Sequence, residues 1–235
     1  MTSTTSSEAS KSRTAQVVLI HGAWFAAKLW EPVIAELAAL GASAVAVELP
    51  LAGFAADVAA ARRAIEAAGP GAVVAAHSYG GNVVSAAASG NLSIARLVYV
   101  AAFLSEPDEH PSSILAAHRS ELLDAIRITE TGVDVDSAKA RHLFFGDADD
   151  ETGAEFVARL RSMPLTAGDM DYEGEPAWKS LPCTYLVATR DRAIPPDAQR
   201  FMATRADEVI EWPTDHSPFT SHPRRMAELL HSYIP

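Results

Sequence analysis

Val73-Val74-Ala75-Ala76-His77-Ser78-Tyr79-Gly80-Gly81 is an apolar run that meets a serine and then two glycines. Its first residues suit a strand buried on both faces, and the glycines open an Ala-rich helical window. A serine on so sharp a strand-to-helix turn sits in strained backbone, so its neighbours two positions away on either side must be small. Ala76 and Gly80 meet that requirement, with alanine where such turns usually carry glycine. The stretch reads as a nucleophile elbow with Ser78 at its apex. A serine that merely caps a helix after a strand gives a similar five-residue pattern, so the surroundings have to decide.

Working outward, short apolar runs at residues 16–20, 44–47, 72–76, 97–100, 184–188 and 209–212 alternate with helical windows. In the window at 29–40, Trp30, Val33, Ile34, Leu37 and Leu40 recur at helical spacing. A second window at 57–68 has Asp57 as its expected cap and Gly69-Pro70 as its stop. A third begins near Gly80, and the last covers 223–233. Such alternation predicts an α/β fold, a mostly parallel sheet of about six strands flanked by helices. Residues 105–180 are helical in places and offer no clear buried strand, which predicts a cap inserted after the fourth strand. The expected organisation is a flexible Ser/Thr-rich tail at 1–15, a core at 16–104 and 181–235, and the cap between its two parts.

The 235 residues are 49% hydrophobic and 21% charged, an ordinary globular composition that one domain can accommodate. A single cysteine, Cys183, excludes a disulfide within the chain. Nineteen basic residues against thirty acidic ones give a net charge of −11, which argues against nucleic acid or an anionic membrane surface as partner. There is no apolar run of membrane-spanning length and no apolar centre of an export signal near the start, so a soluble, cytoplasmic protein is expected. Acids number 17 and bases 7 in the cap, which therefore carries nearly all of the net charge. That imbalance suits a solubilising lid surface, or a field that repels anionic substrates.

Serine is a weak nucleophile until a base takes its proton, and the base needs a third group to orient it. On an elbow of this kind the expected chain order is serine, acid, histidine. The run at 184–188 leads directly into Thr189-Arg190-Asp191-Arg192-Ala193-Ile194-Pro195, and the run at 209–212 into Pro213-Thr214-Asp215-His216-Ser217-Pro218. Asp191 and His216 thus leave the carboxyl ends of strands, the edge where open parallel sheets place their ligand crevices. His77 adjoins Ser78 and should project away from it, and His21 is expected to brace its loop by a buried hydrogen bond. His110, His118 and His142 fall in the cap, and His222 and His231 in the last helical window. Asp215 rivals Asp191, but it is poorly placed to bond the ring that directly follows it. Asp197 is expected to start a helix. The oxyanion formed on an attacked carbonyl needs fixed backbone N–H donors, for which Tyr79 and Ala23 are the candidates. There is no paired-histidine zinc helix, no Cys pair and no Gly-rich phosphate loop with lysine, so neither metal nor cofactor is expected.

Taken together, Val18-Leu19-Ile20-His21-Gly22-Ala23-Trp24, Ala76-His77-Ser78-Tyr79-Gly80-Gly81, Asp191 with Ile194-Pro195, and Asp215-His216-Ser217-Pro218 resemble the α/β-hydrolase superfamily. More narrowly they resemble the plant methylesterase and hydroxynitrile lyase branch with its small bacterial esterase relatives. The resemblance runs from Gln16 to Pro235, strong at the four motifs and weak in the cap. It implies a cofactor-free serine hydrolase with Ser78 as nucleophile, His216 as general base and acid, Asp191 as orienting carboxylate, and Ala23 and Tyr79 as oxyanion donors. Lyases of the branch carry threonine or asparagine after the first-loop histidine, and often lysine after the catalytic one. Gly22 and Ser217 stand at those positions here, which favours an esterase.

The expected activity is carboxylester hydrolysis of a small neutral hydrophobic or aryl ester by a monomer or homodimer. Trp24, Tyr79, Phe103, Leu104, Phe144, Phe145 and Ile194 are the candidate pocket lining. Two other readings stand beside this one. One is a hydroxynitrile lyase-like or other C–C bond-cleaving enzyme on the same scaffold, and the other a small-ligand-binding relative with slow turnover.

Overall fold

Val17–Ile20 form β1, a strand with every residue buried, and the chain returns from it through α1 (Glu31–Ala39), which buries Val33 and Leu37. The computed structural model describes residues 16–168, 170 and 174–235, so the expected tail at 1–15 lies outside the described residues. β2 (Ala44–Val47), α2 (Phe54–Ala68), β3 (Val73–His77), α3 (Gly80–Ala87) and β4 (Arg96–Val100) follow in chain order. The insert then contributes α4 (Pro111–Ala117), β5 (Ile126–Ile128), β6 (Val133–Val135), α5 (Ser137–Phe144) and α6 (Asp150–Val157). The chain returns to the core with β7 (Cys183–Ala188), α7 (Pro196–Ala203), β8 (Glu208–Trp212), α8 (Pro218–Ser221) and α9 (Pro223–His231).

Six strands form one sheet in the order β2-β1-β3-β4-β7-β8, and every neighbouring pair is parallel. β1, β3 and β7 are buried throughout, as strands covered by helices on both faces must be, whereas β2 and β8 at the edges alternate with exposed positions. α1 lies against α9, and α2 against α3. Parallel pairing sends all six carboxyl ends to one edge, and strand order reverses direction between β1 and β3, the switch point at which such sheets bind ligands. Ser78 follows β3 there, flanked by the loops after β1, β7 and β8.

Two sequence expectations are corrected. α2 begins at Phe54, with Gly53 as its capping position, and Asp57 lies inside the first turn instead of capping it. Its buried carboxylate accepts the Leu51 N–H at 2.8 Å and the Tyr79 hydroxyl at 2.8 Å, partners that no local pattern reveals. The insert also holds a two-stranded antiparallel hairpin, β5 with β6, in which Ile126 pairs with Val135. Its strands have three residues each and are at most half-buried, so they give neither an apolar run nor a clean alternation.

Candidate active site

Ser78 takes a left-handed backbone at φ +52°, strained for a residue with a side chain. Two interactions hold it there, because its carbonyl accepts N–H groups from Gly81 and Phe103, each at 3.0 Å. The small neighbour at position 80 is compulsory, since a Cβ on Gly80 would lie 2.7 Å from the carbonyl oxygen of His21. Ala76 is fully buried at the end of β3, its methyl group accommodated where glycine is usual.

Asp191 and His216 meet in a direct hydrogen bond. The His216 Nδ1–H donates to Asp191 Oδ2 at 2.7 Å, both side chains being almost wholly buried. Three further donors fix the carboxylate: the N–H groups of Ala193 and Ile194 reach Oδ1 at 2.7 and 2.9 Å, and Gln199 Nε2 reaches Oδ2 at 2.7 Å. With Nδ1 engaged, Nε2 is the ring atom left for proton transfer. Gln199 was missed by the sequence reading. It is fully buried in α7, gives a second N–H to the Ile194 carbonyl at 2.7 Å and accepts the Ala188 N–H at 2.9 Å. The available signal was a polar residue between Ala198 and Met202 on the buried side of a helix that directly follows the acid.

The His77 ring bonds the loop that carries His216. Its Nε2–H donates to the His216 carbonyl at 3.0 Å, and the two rings lie 4.5 Å apart. Burial, reinforced by the neighbouring His216, holds the pKa of His77 well below 6.5, so the ring is neutral. Asp215 does not bond the ring of His216. Its carboxylate accepts the Ser217 N–H and the Asp147 N–H, each at 2.9 Å, and burial pushes its pKa up to about 6. Asp197 stands in the first turn of α7.

The loop after β1 brings Ala23 to the same edge. His21 braces it, accepting the Leu49 N–H on Nε2 at 3.0 Å and donating from Nδ1 to the Gly22 carbonyl at 2.9 Å. Among the described residues no group accepts the Ala23 N–H. Gly22 is pressed onto the elbow, because a Cβ there would lie 2.8 Å from Ser78 Cβ and 2.9 Å from His77 Nδ1. Trp24 has a left-handed backbone, φ +63°, pinned by the insert between β4 and β7: its indole N–H donates to the Val133 carbonyl at 2.7 Å, and its own carbonyl accepts the Arg161 N–H at 2.7 Å.

The remaining candidates divide by burial. Phe144, at the end of α5, stacks on Trp24 at 6.2 Å and comes within 5.5 Å of the His216 ring, so the insert lays an aromatic ring against the histidine. Tyr79 and Phe103 keep a sliver of exposed surface beside Ser78, and the Tyr79 hydroxyl is occupied by Asp57. Leu104, Phe145 and Ile194 have no exposed surface; they stand in the packed core next to the site, Phe145 against Phe25 and Phe156, and offer no wall to a ligand in this arrangement. Of the remaining histidines, His110 and His118 flank α4, His142 pairs with Glu121 on the surface of the insert, and His222 and His231 stand at the two ends of α9. Among the described residues no group of three or more His, Cys, Asp or Glu side chains is placed to hold a metal ion, and no helix is long and apolar enough to cross a membrane.

Residues 17–229 match the model of the Alpha/beta hydrolase family. The chain is 23% identical to the Alpha/beta hydrolase nvfD of Aspergillus novofumigatus over 91% of its own length and 94% of that relative's. Among solved structures it shares its fold with a pyrethroid hydrolase from Sphingobium faniae, at a TM-score of 0.75 and 21% identity, covering 94% of this chain and 97% of that one. It shares it as well with polyneuridine aldehyde esterase, at a TM-score of 0.79 and 20% identity, covering 93% and 98% of the two chains.

Proposed function

The chain belongs to the α/β-hydrolase family, and from that premise we propose that it is a serine carboxylesterase acting through an acyl-enzyme on Ser78. The observation that carries the proposal is the buried Asp191–His216 hydrogen bond, held at the sheet edge where the left-handed elbow presents Ser78. In this mechanism His216 Nε2 takes the Ser78 hydroxyl proton as the oxygen attacks the ester carbonyl. The developing oxyanion is received by the N–H groups of Ala23 and Tyr79. Collapse of the tetrahedral intermediate expels the alcohol, protonated by His216, and a water activated by the same ring then hydrolyses the acyl-serine. Asp191 keeps the imidazole in the required tautomer and stabilises its transient positive charge.

The substrate class we propose is a small neutral ester with an apolar or aryl group. Trp24 and Phe103 supply aromatic surface at the site, with Phe144 packed behind Trp24, and the buried charged side chains around it, Asp57, Asp191 and Asp215, are all acidic. An ester bearing its own carboxylate would meet repulsion there. The esterase and the pyrethroid hydrolase that share its fold support hydrolysis by analogy. A lyase reading is disfavoured by Gly22, whose position has no room for a side chain, and by Ser217, which supplies no cation beside His216.

Steady-state hydrolysis of nitrophenyl and methyl esters of graded acyl size tests this directly, with Ser78→Ala and His216→Ala as controls and cyanohydrin cleavage in parallel. The proposal expects turnover that falls by several orders of magnitude in both variants. Cyanohydrin cleavage without ester hydrolysis by the folded protein would reverse it.

A further inference from the structure

His216 sits at the apex of a short turn that is fastened to the cap through Asp215. Asp215 Oδ1 accepts the Ser217 N–H at 2.9 Å and so spans the histidine. Asp215 Oδ2 accepts the N–H of Asp147 at 2.9 Å, while Asp147 Oδ2 accepts the N–H of Asp215 at 2.8 Å. Each aspartate thus holds the other's backbone, although 68 residues separate them and Asp147 lies in the cap, between α5 and α6. Arg190 completes the ring, its guanidinium 2.9 Å from Asp147 Oδ2 and its backbone N–H donating to the Thr214 carbonyl at 2.9 Å. The cap, the loop carrying the acid and the loop carrying the histidine meet at this one point.

We infer that Asp147 is a positioning residue for the reaction: through its reciprocal bonds with Asp215, seating of the cap sets the His216 ring. This rests on the reading of His216 as the base. A single hydrogen bond would let the turn pivot, whereas two antiparallel ones fix both the position and the direction of the backbone that carries the ring. Apolar contacts could dock a cap without bringing two carboxylates together, an arrangement that is costly when partly buried. What they could not do is hold the amide of Asp215, whose own carboxylate holds the amide on the other side of the histidine. The same cap carries Phe144 over the ring and Val133 onto Trp24, so undocking it would release the histidine turn and the oxyanion loop together.

The test compares Asp147→Ala with Asp147→Asn, which keeps a carbonyl oxygen that can accept the Asp215 N–H. With a nitrophenyl ester, and active sites counted by diisopropyl fluorophosphate, Asp147→Ala is expected to lower kcat about tenfold or more with KM within about twofold. Asp147→Asn should recover most of that loss. Asp147→Ser, polar but too short to reach Asp215, gives the same comparison if the alanine variant does not fold. A variant with a lowered Tm but wild-type kcat per titrated site would make the pair a staple only, and would overturn the inference. Wild-type protein that neither hydrolyses esters nor reacts with the fluorophosphate at Ser78 would overturn the hydrolase reading itself, and this inference with it.

Discussion

Gln199→Leu nearly preserves side-chain volume while removing every polar atom that holds the acid loop. In the native protein the Gln199 amide accepts the Ala188 N–H at 2.9 Å and donates to the Ile194 carbonyl and to Asp191 Oδ2, each at 2.7 Å. The substitution orphans two buried backbone groups, each costing about 1–3 kcal/mol, and takes from Asp191 one of its four donors, worth about 1 kcal/mol more. Burial of the apolar leucine offsets about 1 kcal/mol. The net expectation is a loss of roughly 2–6 kcal/mol, a large part of the roughly 5–15 kcal/mol that stabilises a domain, with Tm lowered on the order of 10 °C. Urea denaturation followed by tryptophan fluorescence reads the first quantity and a thermal scan the second. Among molecules that remain folded, kcat should fall less than in Asp191→Ala, because Ala193 and Ile194 still hold Oδ1. A loss below about 1 kcal/mol would show that Ala188 and Ile194 find other partners, and would refute the role given to Gln199.

Two further outcomes follow from the same geometry. Gly22→Ala places a methyl group 2.8 Å from Ser78 Cβ and 2.9 Å from His77 Nδ1, so it should cost about 1–3 kcal/mol and lower kcat/KM more than tenfold without creating lyase activity; wild-type ester kinetics in that variant would mean that the loop can yield. The Asp215 carboxyl, raised from 3.8 to about 6, favours the folded state below the lower value and loses that contribution as pH rises through 6. His77, held below 6.5, contributes above that value and loses its contribution on acidification. The two oppose each other below about pH 6, so Asp215→Asn, which removes the first alone, should lose about 2 kcal/mol more than wild type between pH 7 and 4 in urea titrations. A parallel pair of stability curves would contradict this.

Legibility in the sequence followed the range of the interactions. Ser78, Asp191 and His216 each come within four residues of the end of an apolar run, so strand, turn and candidate residue could be read from a few consecutive positions. The buried strands were legible for the same reason, and their ends shifted by a residue or so at most. Asp57 was assigned to a helix cap because local chemistry suggests one, whereas its partners Leu51 and Tyr79 are set by the docking of α2 beside α3. Val133 and Arg161 were illegible because they act on Trp24 from more than a hundred positions away through backbone groups that every residue possesses, and Asp147 because its carboxylate reaches a backbone N–H 68 positions away. Trp24, expected as pocket wall, was legible as an aromatic near Ser78 but not as the residue that Val133 and Arg161 of the insert bond.

The central claim is a covalent acyl intermediate on Ser78. Acid quenching of the protein during turnover of a nitrophenyl ester, followed by peptide mass analysis, tests it most directly. The account predicts the acyl mass on the peptide containing Ser78, an increase of that species in a variant with slowed deacylation, and no adduct in Ser78→Ala. Turnover with no adduct at Ser78, or with the acyl group on another residue, would contradict it.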